Sequence, residues 1–186
     1  MNILWDFDGT LINTYPAYTR IVQQVLGKQV DEQEVYNQLK ISYPHTIEFY
    51  GLTEKQIEEI DLLKAAIQPA DVIPFVGVED VLKFAKKNVI MTHKDRKGVE
   101  DILGYHGLRH YFADMVTIDD GYPRKPHTAA YEHLHNKHGI DLAIGDRTLD
   151  LIPAKKIGIQ TCSFQNKKAE ADHHLNSYSD FFTISS

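Results

Sequence analysis

The sequence has a single cysteine, Cys162, and no apolar run that approaches the ~18–20 residues of a membrane-spanning helix. One cysteine cannot form an internal disulfide, so cysteine usage does not constrain the compartment, and the cytoplasm is the default expectation. The apolar start Met1–Trp5 is interrupted at once by Asp6 and Asp8, and no basic residue precedes it. We therefore expect neither a signal peptide nor a membrane partner.

Positive charge is also scarce. The 186 residues hold 20 Lys and Arg against 26 Asp and Glu, which gives a formal net charge of −6 at pH 7. Proteins that coat nucleic acid or anionic lipid normally carry a basic excess, so we expect no nucleic acid partner. A small anionic substrate is compatible with this balance, because a bound metal ion can reverse the charge locally.

Short apolar runs of strand length are present instead, and they alternate with segments of helical period. The runs are Asn2–Trp5, Asn88–Thr92, Asp114–Ile118, Leu142–Gly145 and Gly158–Cys162. Strand-helix alternation of this kind predicts an α/β fold, a Rossmann-like doubly wound parallel sheet of five strands with helices on both faces. The runs show little polar alternation, which is typical of buried parallel strands.

The alternation breaks between the first and second strands. Residues 14–76 show helical stripes and no strand-like run, and Thr53 with Gln56 fits a capping box at a helix start. Prolines stand at both edges of this segment, as expected for linkers. The sequence therefore predicts a core domain of residues 1–13 and 77–186 and an inserted helical domain of residues 14–76. The insertion is acidic, with five Lys and Arg against nine Asp and Glu.

Reactive side chains follow the predicted strands. In a doubly wound sheet, function collects beyond the carboxyl ends of the strands. The residues that follow these ends or lie in the loops after them are Asp6, Asp8, Thr92, Lys125, Asp146 and Asp150. Four carboxylates at one edge would repel each other without a cation, and oxygen ligands of this kind favour Mg2+. A metal and a lysine suit phosphoryl transfer, in which a carboxylate can attack phosphorus and a second one can move protons.

Four fragments of the sequence, in order, carry a resemblance to a known family: DFDGTL (6–11), VIMT (89–92), RKPH (124–127) and GDRTLD (145–150). The ordered set resembles the haloacid dehalogenase-like hydrolase superfamily along essentially the whole chain. The insertion after the first fragment is similar to the C1 cap of that superfamily, a small helical lid. The resemblance implies a HAD-like core and a magnesium-dependent phosphoryl-transfer enzyme.

The resemblance also implies a role for each matched position. Asp6 would be the nucleophile and Asp8 the general acid and base. Asp6, the backbone carbonyl of Asp8, and Asp146 would hold Mg2+, with Asp150 ordering a metal-bound water or Lys125. Thr92 would hydrogen-bond the phosphoryl oxygens, and Lys125 would offset charge on the nucleophile and the phosphate.

Further residues are candidates for substrate contact. Gly9 is expected to let the backbone turn tightly beneath the phosphate, with Thr10 and His93 beside it. Any of Tyr15, Arg20 and Tyr43 could face the substrate from the insertion. We expect a small phosphorylated substrate as the partner, with monomer and homodimer both open.

The identity of residue 8 narrows the reaction. Dehalogenases and phosphonate-cleaving members of the superfamily lack an aspartate there, so Asp8 indicates phosphate ester chemistry. The Thr92-His93-Lys94 and Lys125-Pro126 sequences resemble phosphoglycolate phosphatase-like members most, although His93 departs from the asparagine often found there. A phosphomutase of the β-phosphoglucomutase type shares every catalytic residue and stays open. A phospho-accepting signalling module is disfavoured, because it would place its aspartate on a later strand.

Overall fold

β1, the strand that precedes Asp6, lies inside a parallel sheet in the computed structural model, which describes residues 1–184. The strands in this part of the chain are β1 (Asn2–Trp5), β2 (Ile12–Asn13), β3 (Ile73–Pro74), β4 (Lys87–Met91), β5 (Phe112–Val116), β6 (Leu142–Gly145), β7 (Gln160–Phe164) and β8 (His173–Leu175). Six of them form the main sheet in the order β5-β4-β1-β6-β7-β8, with every neighbouring pair parallel.

The predicted doubly wound parallel sheet is confirmed, with one more strand than expected. Each of the five predicted runs overlaps an observed strand within about two residues at either end. The sixth, β8, spans three residues that include His173 and His174, so it lacks the apolar run that marks the others. It pairs with β7 at the edge of the sheet, where one side of the strand needs no partner.

The α-helices within residues 1–184 are α1 (Tyr15–Leu26), α2 (Glu32–Ile41), α3 (Tyr43–Tyr50), α4 (Glu54–Ala65), α5 (Val78–Phe84), α6 (Arg96–Tyr105), α7 (Ala129–His138), α8 (Thr148–Lys156) and α9 (Phe181–Ile184). The predicted capping box at the start of α4 is present: the Thr53 hydroxyl accepts from the Gln56 N–H, and the Gln56 side chain accepts from the Thr53 N–H. α2 and α6 also begin at capping aspartates, Asp31 and Asp95. Local side chains thus define these helix starts.

The sheet is buried on both faces because successive side chains of a strand point in opposite directions. Ile3 and Trp5 of β1 pack in one apolar cluster with α5 and α6. Leu4, between them, packs in a second cluster with α7 and α8. The two apolar layers leave the carboxyl ends of the strands as the polar surface where side chains from several strands can meet. We call the residues at these strand ends the sheet edge.

Helices α1–α4 pack on one another in a third apolar cluster, centred on Tyr18, Val22, Val35, Leu39 and Ile60. The chain enters and leaves this group through β2 and β3, which form a short antiparallel pair. The prediction of no strand within residues 14–76 was therefore wrong at β3. That strand has two residues, one of them Pro74, and is too short to show a period. The division into domains at these boundaries stays a prediction.

Across residues 1–184, every helix is too short or too polar to cross a lipid bilayer.

Candidate active site

Asp6 occupies the position directly after β1, between the ends of β4 and β6. Trp5 pairs with Ile90 of β4 and Ile144 of β6, and the Asp6 N–H donates to the Ile144 carbonyl at 2.9 Å. This register fixes the backbone of Asp6 in the middle of the sheet edge. Its side chain is 2% exposed, so the carboxylate depends on protein groups for its interactions.

Two neighbours supply those interactions. The Lys125 Nζ donates to one Asp6 oxygen at 2.6 Å, and the Thr10 hydroxyl donates to the other at 3.3 Å. Lys125 also donates to Asp150 at 2.7 Å. Burial opposes the charge of Lys125, but Asp150 and Asp6 outweigh it and raise the pKa of the ammonium group well above its usual range. Lys125 is therefore a permanent buried cation between two aspartates.

The turn after Asp6 depends on a glycine. Gly9 has a φ of 80°, and a Cβ at this position would lie 2.1 Å from the Tyr15 ring and 2.8 Å from a carboxylate oxygen of Asp146. A side chain cannot be accommodated without moving both neighbours. Gly9 thus allows the loop, the first helix of the insertion and the end of β6 to approach one another.

Asp146 and Asp150 come from the end of β6 and the first turn of α8. Both are buried, and Arg147 between them donates to Asp150 through Nη2 at 3.1 Å and Nε at 3.2 Å. Burial opposes ionisation of Asp150, but Arg147 and Lys125 prevail and hold the pKa of its carboxyl well below the usual range. Asp150 is accordingly ionised, with both oxygens engaged.

The carboxylates of Asp6, Asp146 and Asp150 converge, with one oxygen of each lying within 4.8 Å of the others. Burial, followed by the charge of Asp150, raises the pKa of Asp6 to about 7. A set of hard oxygen donors with excess negative charge suits Mg2+ better than Zn2+. The residues present therefore fit the predicted metal.

A lysine from the insertion also reaches this cluster. The Lys40 Nζ, at the last turn of α2, forms a salt bridge with Asp146, and it lies 4.7 Å from the centre of the Tyr15 ring. No pattern in the sequence indicated this contact. Lys40 is one of several polar residues on a helix with two buried side chains, Val35 and Leu39.

Asp8 is oriented from the insertion rather than from the sheet. The Tyr18 hydroxyl donates to Asp8 Oδ1 at 3.0 Å, and the Lys94 Nζ in turn donates to the Tyr18 oxygen at 3.1 Å. The Asp8 side chain stands apart from the three-carboxylate cluster and is half-buried. It is placed to exchange protons with a group in the open space beside it.

Thr92 and His93 complete the sheet edge. Thr92, directly after β4, is 2% exposed, and its hydroxyl accepts from the Lys94 N–H at 3.1 Å. His93 Nε2 accepts from the Lys125 N–H at 3.0 Å. Burial, with the positive charge of Lys125, lowers the pKa of His93 to about 3. A neutral imidazole thus supports the loop that carries Lys125.

A cavity of about 830 Å³ lies between this edge and the helical insertion. Its lining includes Asp6, Asp8, Tyr15, Tyr18, Tyr43, Lys64, Thr92, His93, Lys94, Arg124, Lys125 and Arg147. The structure thus brings most of the predicted site residues to one space.

The other predicted positions fall elsewhere. Asp146, Asp150, Gly9 and Thr10 are buried and do not belong to the cavity lining. Thr10 is fully buried and donates to Asp6 and Asp146, each at 3.3 Å, so its hydroxyl supports carboxylates. Arg20 is exposed on α1, outside the cavity lining. α1 buries Tyr15, Tyr18 and Val22, and Arg20 lies on its opposite side.

Comparison with known proteins agrees with this architecture. A model of the haloacid dehalogenase-like hydrolase family matches residues 3–164. The chain is 26% identical over 181 residues to phosphoglycolate phosphatase 1 of Pseudomonas aeruginosa, covering 85% of this chain and 66% of that protein. It is also 26% identical over 178 residues to the pyrophosphatase PpaX of Bacillus cereus, covering 87% and 81%.

A crystal structure of a hydrolase from Streptococcus pneumoniae has the same fold. It superposes with a TM-score of 0.69 at 26% identity, over 99% of this chain and 97% of that one. The match to the family extends from β1 to the end of β7 and includes all four sequence fragments that meet at the sheet edge. The chain therefore belongs to the haloacid dehalogenase-like hydrolase family.

Proposed function

We propose that this protein is a phosphatase that uses Mg2+ and hydrolyses a small phosphorylated metabolite through an aspartyl-phosphate on Asp6. One observation carries the proposal. The buried carboxylate of Asp6 lies 2.6 Å from the buried Lys125 ammonium group and lines a cavity that Asp8, a second carboxylate, also lines. The relatives named as a phosphoglycolate phosphatase and a pyrophosphatase support this reaction class.

In the first half-reaction, an Asp6 oxygen attacks phosphorus and the bond to the leaving oxygen breaks. Asp8, in its protonated form, donates a proton to that oxygen, so that the product departs as an alcohol. Lys125 neutralises charge on Asp6 and on the phosphoryl oxygens, and Thr92 donates a hydrogen bond to one of them. Asp150 holds Lys125 in place from behind, at 2.7 Å.

In the second half-reaction, Asp8 takes a proton from water, which attacks phosphorus and breaks the bond to Asp6. Inorganic phosphate leaves, and both carboxyl groups return to their starting states. Asp6 and Asp146, with the backbone carbonyl of Asp8, would hold the Mg2+, which supplies positive charge to the transferring phosphoryl group. The Tyr18 hydrogen bond keeps Asp8 aimed at the cavity through both steps.

We assign the helical insertion, residues 14–76, the role of a lid on a core of residues 1–13 and 77–186. α1 supplies Tyr15 and Tyr18 to the cavity and α3 supplies Tyr43, so the insertion provides the wall opposite the sheet. A lid in this position excludes bulk water while the first half-reaction proceeds.

The test is the release of inorganic phosphate from p-nitrophenyl phosphate. We expect many turnovers per enzyme with Mg2+, loss of activity with a chelator, and recovery when Mg2+ is restored. The Asp8→Asn enzyme, quenched in acid during turnover, should carry one added phosphoryl group by mass spectrometry, because its second step is slowed. A single phosphorylation event without turnover would instead indicate a phospho-accepting module, and the proposal would then be abandoned.

A further inference from the structure

The cations that line the cavity fall into two groups. Lys125 and Arg147 are paired with carboxylates of the sheet edge, and Lys97, near the cavity mouth, pairs with Asp101. The other three are Lys64, Lys94 and Arg124. Among residues 1–184, no carboxylate oxygen lies within 4.0 Å of their charged nitrogens.

Aromatic rings hold the two lysines in position. The Lys64 Nζ lies 4.0 Å from the centre of the Tyr43 ring and 5.0 Å from that of Tyr18. The Lys94 Nζ lies 5.7 Å from the Tyr18 ring centre and donates to the Tyr18 oxygen. Cation–π contacts of this kind fix a cation but leave its charge unneutralised.

The ammonium groups of Lys64 and Lys94 both lie near the Tyr18 ring, and their positive charges repel each other. Burial lowers the pKa of Lys64, and Lys94 and Arg124 lower it further, while Asp8 and Asp61 offset this only in part. Such an arrangement is costly in the free protein unless an anion arrives to neutralise it. It therefore indicates a binding site for negative charge.

The location of the cluster shows which part of a substrate would meet it. Tyr18 connects Lys94 to Asp8, the residue assigned to protonate the leaving group. The cation that contacts the nucleophile Asp6 at the sheet edge is Lys125, at 2.6 Å. An anion at the lysines thus belongs to the leaving group and not to the phosphoryl group that is transferred.

We propose that Lys64 and Lys94, with Arg124 beside them, form a subsite for a second anionic group, so that the substrate is a compact phosphate ester or anhydride whose leaving group is itself negatively charged. This inference rests on the proposed phosphatase activity and specifies its substrate class. A carboxylate and a second phosphate present the same chemistry to two ammonium groups, and matched substrates separate them.

The test compares kcat/KM for three compounds: 2-phosphoglycolate, pyrophosphate, and ethyl phosphate, in which a methyl group replaces the carboxylate of phosphoglycolate. At least one of the two anionic compounds should exceed ethyl phosphate by about tenfold or more, which corresponds to one partly desolvated ion pair. The preferred compound shows whether the second anion is a carboxylate or a phosphate.

Four variants connect that preference to the subsite. Lys64→Met and Lys94→Met should each bring the ratio of kcat/KM for the preferred compound to that for ethyl phosphate toward one. Lys64→Arg, which keeps the charge, should retain most of the ratio. Lys97→Met removes a lysine of the same cavity that is already paired, and should leave the ratio and the turnover of ethyl phosphate as they are.

The outcomes separate this inference from the proposed function. Turnover of ethyl phosphate with no preference for either anionic compound, or a preference that survives both methionine variants, overturns the subsite and leaves the phosphatase intact. No phosphate release from any compound overturns the phosphatase. In that case, the subsite is tested by calorimetric titration of the same three compounds into the Asp6→Asn protein and into its Lys64→Met derivative. If each compound binds the two proteins equally well, the subsite is refuted. If only the anionic compounds bind the derivative more weakly, the subsite is supported.

Discussion

The sheet edge and the helices that face it use charge in opposite ways. At the edge, Asp6 and Asp150 are buried and share one lysine, and Arg147 completes the network within hydrogen-bond distance. On the facing side, Lys64 has two tyrosine rings as neighbours and, within the described part of the chain, no carboxylate within 4.0 Å. A paired network is rigid and suits a fixed chemical step, whereas unpaired charge is available to a ligand.

The two regions also differ in how they are packed. Ile3, Leu4 and Trp5 of β1 are at most 1% exposed. In the insertion, Leu62 of α4 is 72% exposed, and many members of the third apolar cluster are only partly buried. Close packing restricts the positions of the side chains at the edge, whereas a partly exposed helical layer can change its shape and sequence with the substrate.

The largest expected effect tests whether the chemistry resides at the sheet edge. Asp6→Asn should lower kcat for phosphate release by about 10³-fold or more, because the nucleophile is lost while the shape of the side chain is kept. Steady-state phosphate release measures this, with circular dichroism to confirm folding. Asp80→Asn, the same change at an exposed position of α5, should leave kcat unchanged. Comparable activity in the Asp6→Asn enzyme would refute the assignment.

The next effect is on stability and tests the pairing itself. Lys125→Met should lower the free energy of unfolding by about 3–5 kcal/mol, because Asp6 and Asp150 lose their shared buried counterion. Urea denaturation without metal is the measurement. Lys97→Met, at an exposed pair, should change the value by less than about 0.5 kcal/mol. Equal losses in the two variants would mean that the edge network does not hold the fold.

Lys40 of the insertion forms an ion pair with Asp146 of the carboxylate cluster. Replacing Lys40 tests whether the two regions influence each other. Its ammonium group occupies an oxygen of Asp146 that the proposed Mg2+ site also requires. Lys40→Met should therefore tighten Mg2+ binding by about tenfold, measured by calorimetric titration of Mg2+ into the protein without substrate.

Lys28→Met is the matched control for Lys40→Met, since Lys28 is an exposed lysine of the same insertion and outside the carboxylate cluster. It should leave Mg2+ affinity unchanged. The same affinity in both variants and the natural sequence would show that Lys40 and the metal do not compete.

The smallest effect concerns acid sensitivity at the edge. His93 has a pKa of about 3 in the folded protein and about 6.5 unfolded, so below pH 6.5 only the unfolded chain takes up its proton. This group therefore leaves stability unaffected above pH 6.5 and lowers it as the pH falls toward 3. Between pH 7.5 and 5.5, His93→Asn should lose about 1 kcal/mol less stability than the natural sequence, by urea denaturation at both values. An equal loss of stability in the two proteins would show that His93 is not a source of this acid sensitivity.

The sequence was sufficient to predict the edge of the sheet because its signals are local. The end of β1 is marked by an apolar run that is followed directly by Asp6 and then by Gly9. Parallel strands place their carboxyl ends together, so Asp6, Thr92 and Asp146 could be expected to meet from the strand pattern alone. β8 and the β2–β3 pair were not foreseen, because strands of two or three residues contain too few positions to show a period.

The face of the insertion could not be predicted in the same way. A helical stripe shows which residues are buried but not which element covers them, so Tyr15, Arg20 and Tyr43 were equivalent candidates. The packing of α1 distinguishes Tyr15 from Arg20, because Tyr15 lines the cavity and Arg20 is exposed to solvent. Lys40 and Lys64 carried no signal, since a lysine on an amphipathic helix is usually solvated.

The sequence alone thus indicated the family of this protein, the order of the candidate site residues along the chain and the meeting of carboxylates at one edge of a sheet. These follow from short motifs whose geometry is set within a few residues and from the parallel arrangement of the strands. Only the tertiary structure decided which cations of the insertion face that edge and which of them, among residues 1–184, have no carboxylate within 4.0 Å. That choice depends on how two layers pack across a cavity, and long-range packing is not encoded in any local period of the chain.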